Sequence, residues 1–389
     1  MKKSKKKNKT IAIFTGYYLP FLGGIERYTE KLIKHLNHLG YNIIIVTSNY
    51  DNLKEFEQNE YYSIYRLPVY SLFCKRYPII KKNKDYKRIL QELSTKQIDA
   101  IICNTRFHLT SLIGGKFAKK YNIPVLAIEH GSNHFTVNNK ILDFFGQIYE
   151  HLLTNHLKRY IKSYYGVSER CNKWLKHFNI DAKGVFYNSV EKTAYDKFKN
   201  KTYLTNNKGK TIITYAGRLI KEKGIMELLE AYSNISKNYK NLLLVIAGDG
   251  PLLDQLKEKY HNQKDIKFVG KLNYDEVMAL YNNTDIFVYP SMYPEGLPTS
   301  ILEAGIMKCA IVATNRGGTI EVINNEKYGR IAQETVEDIE RQICTYLDNN
   351  DIMIKCKENI QQRINEEFTW DVTANKIANV LEEIINEKN

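Results

Sequence analysis

Residues 10–47, TIAIFTGYYLPFLGGIERYTEKLIKHLNHLGYNIIIVT, contain one complete strand–helix–strand pattern. The runs Thr10–Thr15 and Tyr41–Thr47 are rich in β-branched residues, which is typical of buried strands. Between them, Ile25–Leu39 repeats apolar residues at helical spacing, and Gly40 is a helix stop. This order predicts two parallel strands with the helix packed on their sheet.

The same alternation continues along the chain and restarts once after an interruption. Residues 190–209 are polar and lack a strong period, which indicates a connection between domains. Further strands are predicted at Ala100–Cys103 and Val125–Glu129, and after the interruption at Thr211–Ala216, Leu242–Ala247, Ile266–Val269, Ile286–Tyr289 and Ala310–Ala313. Helices are predicted at about residues 224–237, 251–260, 274–283 and 299–307.

These patterns predict an α/β protein of two Rossmann-like, doubly wound domains facing across a cleft, where a ligand would bind. The length of 389 residues also fits two domains better than one. We expect an N-terminal domain over residues 1–189, with a basic tail at 1–9. A C-terminal domain over 190–370 and a last helix over 371–389 should follow.

The charge is unevenly divided between the two halves. The net charge is +14, but residues 1–189 carry +17 and the remainder carries −3. Clustered Lys and Arg favour an anionic partner, and we expect a membrane surface because no nucleic-acid-binding module accompanies the charge. Exposed aromatic residues near Tyr70–Tyr77 could help such docking.

Several absences indicate a cytoplasmic protein, and the basic first half favours a peripheral place on the inner face of the cell membrane. No run of about 18 apolar residues is present, which argues against a spanning helix. The apolar stretch after the basic N-terminus is too short for a secretory signal. Six cysteines lack metal-ligand spacing, and we expect them to be small buried or half-buried residues.

The segment from Tyr289 to Glu303, YPSMYPEGLPTSILE, is predicted to join a strand to a helix. A helix beginning near Pro298 or Thr299 would leave backbone amides unpaired at its N-terminus, where the helix dipole favours an anion. Two carboxylates near that end, Glu295 and Glu303, would repel a phosphate but could bind sugar hydroxyls. These features indicate a site for a ligand with both phosphate and sugar groups.

The segment Tyr215–Gly224, YAGRLIKEKG, connects the first strand of the second half to its helix. Arg218 and Lys223 can both project from this loop, with a planar guanidinium and a compact ammonium as anion ligands. We find no D-x-D pair for a metal, so these cations are candidates to neutralise a diphosphate instead. Lys221 is the less favoured ligand.

Two further loops belong to the first half. A glycine pair, Gly23 and Gly24, stands between a strand and a helix, as in loops that bind phosphate through their backbone. After another strand comes Ala127–His134, AIEHGSNH. His130 and His134 are four residues apart, which suggests a metal pair, but no third ligand is evident and we predict no metal site.

The order and spacing of these motifs resemble glycosyltransferase family 4, whose members have the two-domain GT-B fold. The stretch 295–303 resembles the E-x7-E motif of that family, and the resemblance spans roughly residues 11–385. Shorter segments match in the same order: Gly166–Glu169, Tyr187–Ser189, Gly248–Pro251, Gly270, Gly317–Glu321 and Phe368–Trp370. Ser189 replaces the usual glycine of the hinge segment.

The resemblance implies a role for each candidate residue. Glu295 would hydrogen-bond the donor sugar and Glu303 the ribose, and Arg218 and Lys223 would clamp the diphosphate. His130 would lie near the donor sugar and the acceptor. His134 is not part of the family motif, but it could contact the acceptor instead. Backbone groups of the remaining donor-binding residues would meet the sugar, diphosphate or base: Gly23, Gly24, Gly217, Gly270, Gly296, Leu297, Pro298 and Thr299. The last helix would cross back onto the first domain.

The resemblance implies a retaining, metal-independent hexosyltransferase with no cofactor, a nucleotide-sugar donor and UDP-sugars favoured. We expect a glycan or lipid-linked acceptor, as in bacterial surface-polysaccharide synthesis, and no nucleic-acid partner. Three alternatives stay open. They are a sugar-nucleotide epimerase of the same fold, a catalytically silent partner subunit, and a nucleic-acid-binding protein, which would show salt-sensitive binding.

Overall fold

The computed structural model describes residues 9–21, 23–70, 77–136, 139–205, 207–293 and 296–388. The chain forms two compact units. The N-terminal unit contains the residues up to Tyr187 together with those from Thr373 onward, and the C-terminal unit contains Asn188–Val372.

The N-terminal unit is built on a mostly parallel sheet. Its strands are β1 (Thr10–Phe14), β2 (Asn42–Asn49), β3 (Phe56–Gln58), β4 (Tyr62–Tyr70), β5 (Ile79–Ile80), β6 (Ala100–Asn104), β7 (Val125–Glu129), β8 (Ser163–Gly166) and β9 (Gly184–Val185). The strand order is β3-β4-β2-β1-β6-β7-β8-β9, with β5 beside β4. Among the strands in the described part of this unit, β3 and β5 alone run antiparallel to their neighbours. The central strands β1 and β6 are buried because helices cover both faces of a parallel sheet.

Helices flank this sheet and follow its strands. They are α1 (Gly24–His38), α2 (Lys84–Ser94), α3 (Leu109–Tyr121), α4 (Lys140–Leu157) and α5 (Glu169–Lys176). The last helix, α14 (Trp370–Asn386), packs on the same unit from Thr373 onward. Its Glu382 carboxylate accepts hydrogen bonds from Lys9 Nζ at 2.5 Å and Tyr41 Oη at 2.8 Å. These bonds join the C-terminal helix to the first strand and to the start of the second.

The C-terminal unit is a six-stranded, wholly parallel sheet. Its strands are β10 (Thr211–Ala216), β11 (Leu242–Ala247), β12 (Ile266–Gly270), β13 (Ile286–Tyr289), β14 (Ala310–Thr314) and β15 (Arg330–Ala332). They lie in the order β12-β11-β10-β13-β14-β15. This is the strand order of a Rossmann fold, in which the chain changes direction between the two central strands.

The helices of this unit follow its strands along the chain. They are α6 (Ala194–Phe198), α7 (Ile225–Asn238), α8 (Leu253–Lys259), α9 (Tyr274–Tyr281), α10 (Thr299–Ile306), α11 (Thr319–Val322), α12 (Val336–Asp348) and α13 (Asn350–Glu367). A 3-10 turn at Lys221–Lys223 precedes α7. Apolar residues of β10, β11, β13 and β14 pack against α7 and α12 to form the main core.

The predicted fold class is confirmed, because both units are doubly wound, Rossmann-like α/β domains. The segment 190–209, predicted to connect the domains, contains regular structure. Within it lies α6, and Val190 forms a parallel bridge with Thr369. The five described cysteines are buried or half-buried as expected, and Cys74 lies outside the described residues. No described helix is long and apolar enough to cross a bilayer.

Candidate functional site

The strand order of the C-terminal unit identifies where a ligand would bind. Strands β10 and β13 are parallel neighbours, but the chain leaves them towards opposite edges of the sheet. In such folds a crevice forms beyond the carboxyl ends of the two strands, because the following loops diverge. Two predicted segments lie there, since Gly217–Gly224 follows β10 and the loop after Tyr289 follows β13.

We call the place where the strand order reverses, at the carboxyl ends of β10 and β13, the switch point of this sheet. The two loops that follow these strands are packed together. The Met292 amide donates a hydrogen bond to the Glu222 carbonyl at 2.9 Å. Gly224 has a φ of +68°, and a Cβ there would lie 2.0 Å from the Pro290 carbonyl oxygen. Only glycine satisfies both the left-handed backbone and this close approach. The start of α7 therefore sits against the end of β13.

Lys223 lies at the centre of this contact. Its Nζ donates to Tyr289 Oη at 3.3 Å and stands 5.5 and 5.4 Å from the ring centres of Tyr289 and Tyr293. The aromatic faces favour a cation at this position. The half-buried ammonium is thus held beside the end of β13.

Arg218 has a fixed backbone and an exposed side chain. The Tyr215 hydroxyl donates to the Arg218 carbonyl at 2.9 Å, and the Gly217 amide donates to the Ala247 carbonyl at 3.0 Å. A guanidinium on such a base can reach an anion in the crevice without reorganising the loop. The structure thus places Arg218 and Lys223 in one loop at the end of β10.

Gly248 packs against the loop that carries Arg218 and Lys223. Its replacement by alanine should destabilise the C-terminal unit. Its φ is +152°, and a Cβ would lie 1.8 Å from the Gly217 carbonyl oxygen. Gly209 is the matched control, because its φ is also positive, at +77°, but no atom lies within 4 Å of a Cβ there. We expect Gly248→Ala to lower the free energy of unfolding by about 2 kcal/mol more than Gly209→Ala. Equal losses in urea denaturation would refute the steric account.

The segment after β13 leads to the N-terminus of α10. The Gly296 carbonyl accepts from the Gly318 amide at 2.6 Å, and the Leu297 carbonyl accepts from Asn188 Nδ2 at 2.8 Å. With these carbonyls engaged, the peptide planes of Gly296 and Leu297 are fixed. Glu295 lies outside the described residues, so its predicted role stays a prediction.

The N-terminus of α10 has the features expected of an anion site. Pro298 is the N-cap residue, Thr299 is the first helical residue, and no described side chain caps this helix or places an acid in its first turn. The first backbone amides of a helix lack partners within it, and the dipole makes this end partially positive. A phosphate would be stabilised there.

Two further predicted donor-binding residues belong to this unit. Gly270 is the last residue of β12, and Glu303 lies on α10 after β13. Glu303 is half-buried one turn into α10. Burial, and next the charge of Glu303, raise the pKa of Tyr274 and of Tyr281, so the carboxylate lies near the side chains of α9. Gly270 has a φ of +73° with open space beside it, and its carbonyl accepts from the Gly248 amide at 2.7 Å.

In the N-terminal unit the predicted glycine pair begins α1. The Gly23 amide is already occupied, because it donates to the Glu26 carboxylate at 2.9 Å. Burial raises the pKa of Glu26. Gly24 has open space where a Cβ would stand. Any phosphate at this helix would therefore use the amides from Gly24 onward, or would have to displace Glu26.

His130 follows β7 and is held by two neighbours. Its ring packs edge-to-face on Tyr28 at 4.8 Å, and its Nε2 lies 3.4 Å from Asn104 Oδ1. Burial, with the nearby His108, lowers the pKa of His130 to about 3. The imidazole is therefore neutral near pH 7 and suits a positioning role better than that of a cation.

The lowered pKa values of His108 and His130 should make stability depend on pH. Burial lowers the pKa of His108 to about 4, whereas an unfolded histidine titrates near 6.5. Between pH 6.5 and 4 the unfolded chain binds more protons, so the free energy of unfolding should fall as pH falls, by up to about 1.4 kcal/mol per unit per group. His130→Gln should flatten this slope in urea titrations from pH 7 to 5. His261→Gln, at an exposed site, should leave it unchanged, and an unaltered slope in His130→Gln would contradict the account.

Comparisons with known proteins decide the family. The family described as Glycosyltransferase Family 4 matches residues 22–192, and Glycosyl transferases group 1 matches residues 196–363. The chain belongs to glycosyltransferase family 4. It is a nucleotide-sugar-dependent glycosyltransferase of a retaining family, and its fold is GT-B.

Relatives and solved structures cover nearly the whole glycosyltransferase. An uncharacterized glycosyltransferase of Methanocaldococcus jannaschii, MJ1069, is 26% identical over 97% of this chain and 99% of its own. The phosphatidylinositol N-acetylglucosaminyltransferase gpi3 subunit of Schizosaccharomyces pombe is 26% identical over 96% of this chain and 80% of its own. Anabaena HepE in complex with UDP-glucose matches with a TM-score of 0.70 and 15% identity, over 96% and 99% of the two chains.

The glycosyltransferase also contains a buried charge network that the sequence analysis missed. Arg106, after β6, donates from Nη1 to Glu129 at 3.1 Å and from Nη2 to Glu150 at 2.9 Å. All three side chains are buried. Glu129 also accepts from the Gly131 amide at 3.0 Å. The sequence carries one signal for this network, because charged residues lie at or just after the ends of apolar strands. Glu129 is the last residue of β7, and Arg106 follows β6 by two residues.

His134 contacts this charge network through Glu150, whereas His130 contacts Tyr28 and Asn104. Its Nδ1 lies 2.9 Å from Glu150 Oε2, and its ring packs edge-to-face on Trp174 at 4.8 Å. Glu150 lies on α4 and also accepts from the Phe135 amide at 2.8 Å. The loop between β7 and α4, which carries both histidines, is thereby fixed to the helix that follows it.

Proposed function

We propose that this glycosyltransferase moves a hexose from a UDP-sugar to a lipid-linked glycan, in the synthesis of a surface polysaccharide. One observation carries the proposal: Lys223 rests on Tyr289 at the switch point of the C-terminal sheet, at the end of the strand that leads to the N-terminus of α10. A fixed cation and unpaired amides at one strand end suit a diphosphate.

Each donor group has a proposed partner. Arg218 and Lys223 neutralise the diphosphate, assisted by the amides of residues 296–299. Glu303 binds the ribose, Glu295 binds the donor sugar, and the backbone at Gly270 contacts the base. Because no acid stands in the described first turn of α10, nothing there opposes a phosphate.

The proposed reaction needs no enzymic nucleophile. The acceptor oxygen attacks the anomeric carbon on the face from which the diphosphate leaves, so the configuration is retained. The departing phosphate oxygen takes the acceptor proton. Charge grows on the diphosphate as the bond breaks, and fixed cations stabilise it without a metal. Neutral His130 would position the donor sugar, and His134 would contact the acceptor.

The acceptor is proposed to bind the N-terminal domain, residues 1–189, while 190–370 bind the donor and 371–389 cross back onto the first. The first part carries a net charge of +17, which favours an anionic membrane on the inner face of the cell. The gpi3 relative is named for transfer to phosphatidylinositol, which supports a lipid-borne acceptor.

Helix α4 offers an apolar face for that membrane. Its large exposed hydrophobic residues recur at helical spacing, so they share one side of the helix. They are Ile141, Leu142, Phe144, Phe145, Ile148, Tyr149 and Leu152. Of the aromatic residues expected at 70–77 to help docking, the structure describes Tyr70 and Tyr77. Tyr70 is exposed, but the Tyr77 hydroxyl bonds to the Phe107 carbonyl and Tyr149, and residues 71–76 lie outside the described part.

Vesicle flotation tests the membrane proposal. The full chain should float with vesicles containing anionic lipid more than with neutral vesicles. Phe145→Asp with Leu152→Asp should reduce flotation at least tenfold, because each apolar side chain buried in lipid contributes about 1.5–3 kcal/mol. Ile354→Asp, at an exposed apolar site of the C-terminal unit, is the matched control and should float like wild type. Equal flotation with both vesicle types would refute it.

Thermal stabilisation tests the donor proposal. UDP, GDP, ADP and their sugar conjugates are added to the full chain, and UDP forms should raise the unfolding temperature most. A ligand at 100 times its Kd adds about 2.7 kcal/mol to stability. The shift should vanish in Lys223→Ala. A GDP or ADP preference would correct the base, and no shift with any nucleotide would refute the proposal. Epimerised donor without transfer would instead indicate an epimerase.

A further inference from the structure

Three histidines from separate segments of the N-terminal unit converge at one point. His134 lies in the loop after β7, His151 lies on α4, and His177 is the C-cap of α5. One ring nitrogen from each lies within 4.8 Å of the others. None of the three is fully buried, and His177 is exposed, so the group opens to solvent.

The spacing suits a tetrahedral metal ion. Zinc binds imidazole nitrogens at about 2.0–2.1 Å, so two nitrogens on one tetrahedral ion stand about 3.3 Å apart. The Nε2 atoms of His151 and His177 are 3.2 Å apart. One edge of the tetrahedron thus already has the required length, and only the third imidazole has to close in.

The surroundings orient two of the rings. Glu150 accepts a hydrogen bond from Nδ1 of His134 at 2.9 Å, which leaves Nε2 to face a metal. A carboxylate behind a ligating imidazole is the usual support of a zinc site, since it fixes the tautomer and raises the basicity of the ligand. The Trp174 ring stacks on His177 at 4.8 Å with an 8° tilt, which holds that ring in place.

The nearby charge favours a cation. Buried Glu129 and Glu150 carry two negative charges, and Arg106 between them carries one positive charge. The network therefore leaves one negative charge beside His134, and its effect is strong because the side chains are buried.

We propose that His134, His151 and His177 bind one Zn²⁺ ion, with a water molecule as the fourth ligand. The ion would tie the loop after β7 to α4 and to the end of α5. It would fix the loop that carries His130 and take no part in the transfer step itself. The site uses none of the residues proposed to bind the donor, and zinc binding by His134 would take the place of the acceptor contact proposed for that residue.

The test uses the full chain without a polyhistidine tag, stripped with a chelator and then titrated with Zn²⁺ and Co²⁺. We expect one Zn²⁺ per chain, a tetrahedral Co²⁺ absorption spectrum and a rise in unfolding temperature. His151→Ala and His177→Ala should each weaken Zn²⁺ binding at least about 100-fold, because loss of a ligand exceeds the 10–100-fold effect of losing a supporting group.

The matched control is His156→Ala, which removes a histidine from the same helix outside the group and should bind as wild type does. Circular dichroism of the metal-free variants checks that they fold. Zinc binding retained in His151→Ala and His177→Ala, or lost equally in His156→Ala, would overturn the proposal. So would an octahedral Co²⁺ spectrum or the absence of binding, and either would leave the three rings as a hydrogen-bonded aromatic cluster.

Discussion

Lys223→Ala should lower kcat for release of the nucleotide diphosphate about 10²–10³-fold, the usual cost of removing one preorganised group that meets developing charge. The ammonium is held by Tyr289 Oη at 3.3 Å and by two aromatic rings, so it needs no reorganisation as the bond breaks. The cation contacts the diphosphate both before and during bond breaking, so donor affinity should fall as well as kcat.

Lys221→Ala is the matched control for Lys223→Ala. It removes an exposed lysine from the same 3-10 turn, two residues away, and changes the net charge equally. Turnover is measured by released nucleotide with the sugar nucleotide that stabilises the chain best. The control should retain near wild-type kcat. Equal losses in the two variants would mean that general charge near the loop, and not the position of Lys223, is responsible.

Arg106→Met should destabilise the N-terminal unit by about 3–5 kcal/mol, because it leaves Glu129 and Glu150 buried without a compensating charge. The guanidinium also stacks 3.8 Å from the Phe178 ring centre, and that contact is lost as well. Trp174 lies close to the network, so its fluorescence can follow urea unfolding of this unit.

Two further variants separate this mechanism from a general loss of packing. Arg88→Met removes another arginine with two carboxylate partners, Glu55 and Asp85, but that arginine is exposed, so the unfolding midpoint should hardly change. Adding Glu129→Gln to Arg106→Met should restore part of the lost stability, because one buried charge disappears. A double variant less stable than Arg106→Met would contradict the charge account.

The sequence predicts the fold well where strands are continuous and apolar. The bounds of β10, β11 and β13 agree with the prediction, because buried parallel strands are continuous, largely apolar runs. Strand β4 was missed because Arg66 and Pro68 interrupt its pattern. Arg66 is nevertheless buried, with Nη1 donating to the Lys54 carbonyl at 2.8 Å and an ion pair to Glu57. These partners of the Arg66 guanidinium lie outside β4, so the local sequence pattern of the strand does not report them.

The candidate site, like the fold, contains residues that the sequence predicts and residues that it does not. Arg218, Lys223 and the start of α10 follow strands directly, so strand order alone brings their loops together. The occupied amide of Gly23 and the charge network of Arg106 depend on side-chain packing, which spacing does not report. The three-histidine group joins residues 134, 151 and 177 through tertiary structure, and the i+4 spacing of His130 and His134 pointed to a different pair.

Hydrogen exchange, measured by mass spectrometry on the full chain with and without saturating UDP, tests the central claim most directly. UDP should slow exchange in peptides covering 217–224 and 296–303, the two segments at the switch point of the C-terminal sheet. The slowing should be lost in Lys223→Ala and kept in Lys221→Ala. Protection confined to other peptides, or unchanged exchange in both segments at saturation, would contradict the proposed donor site.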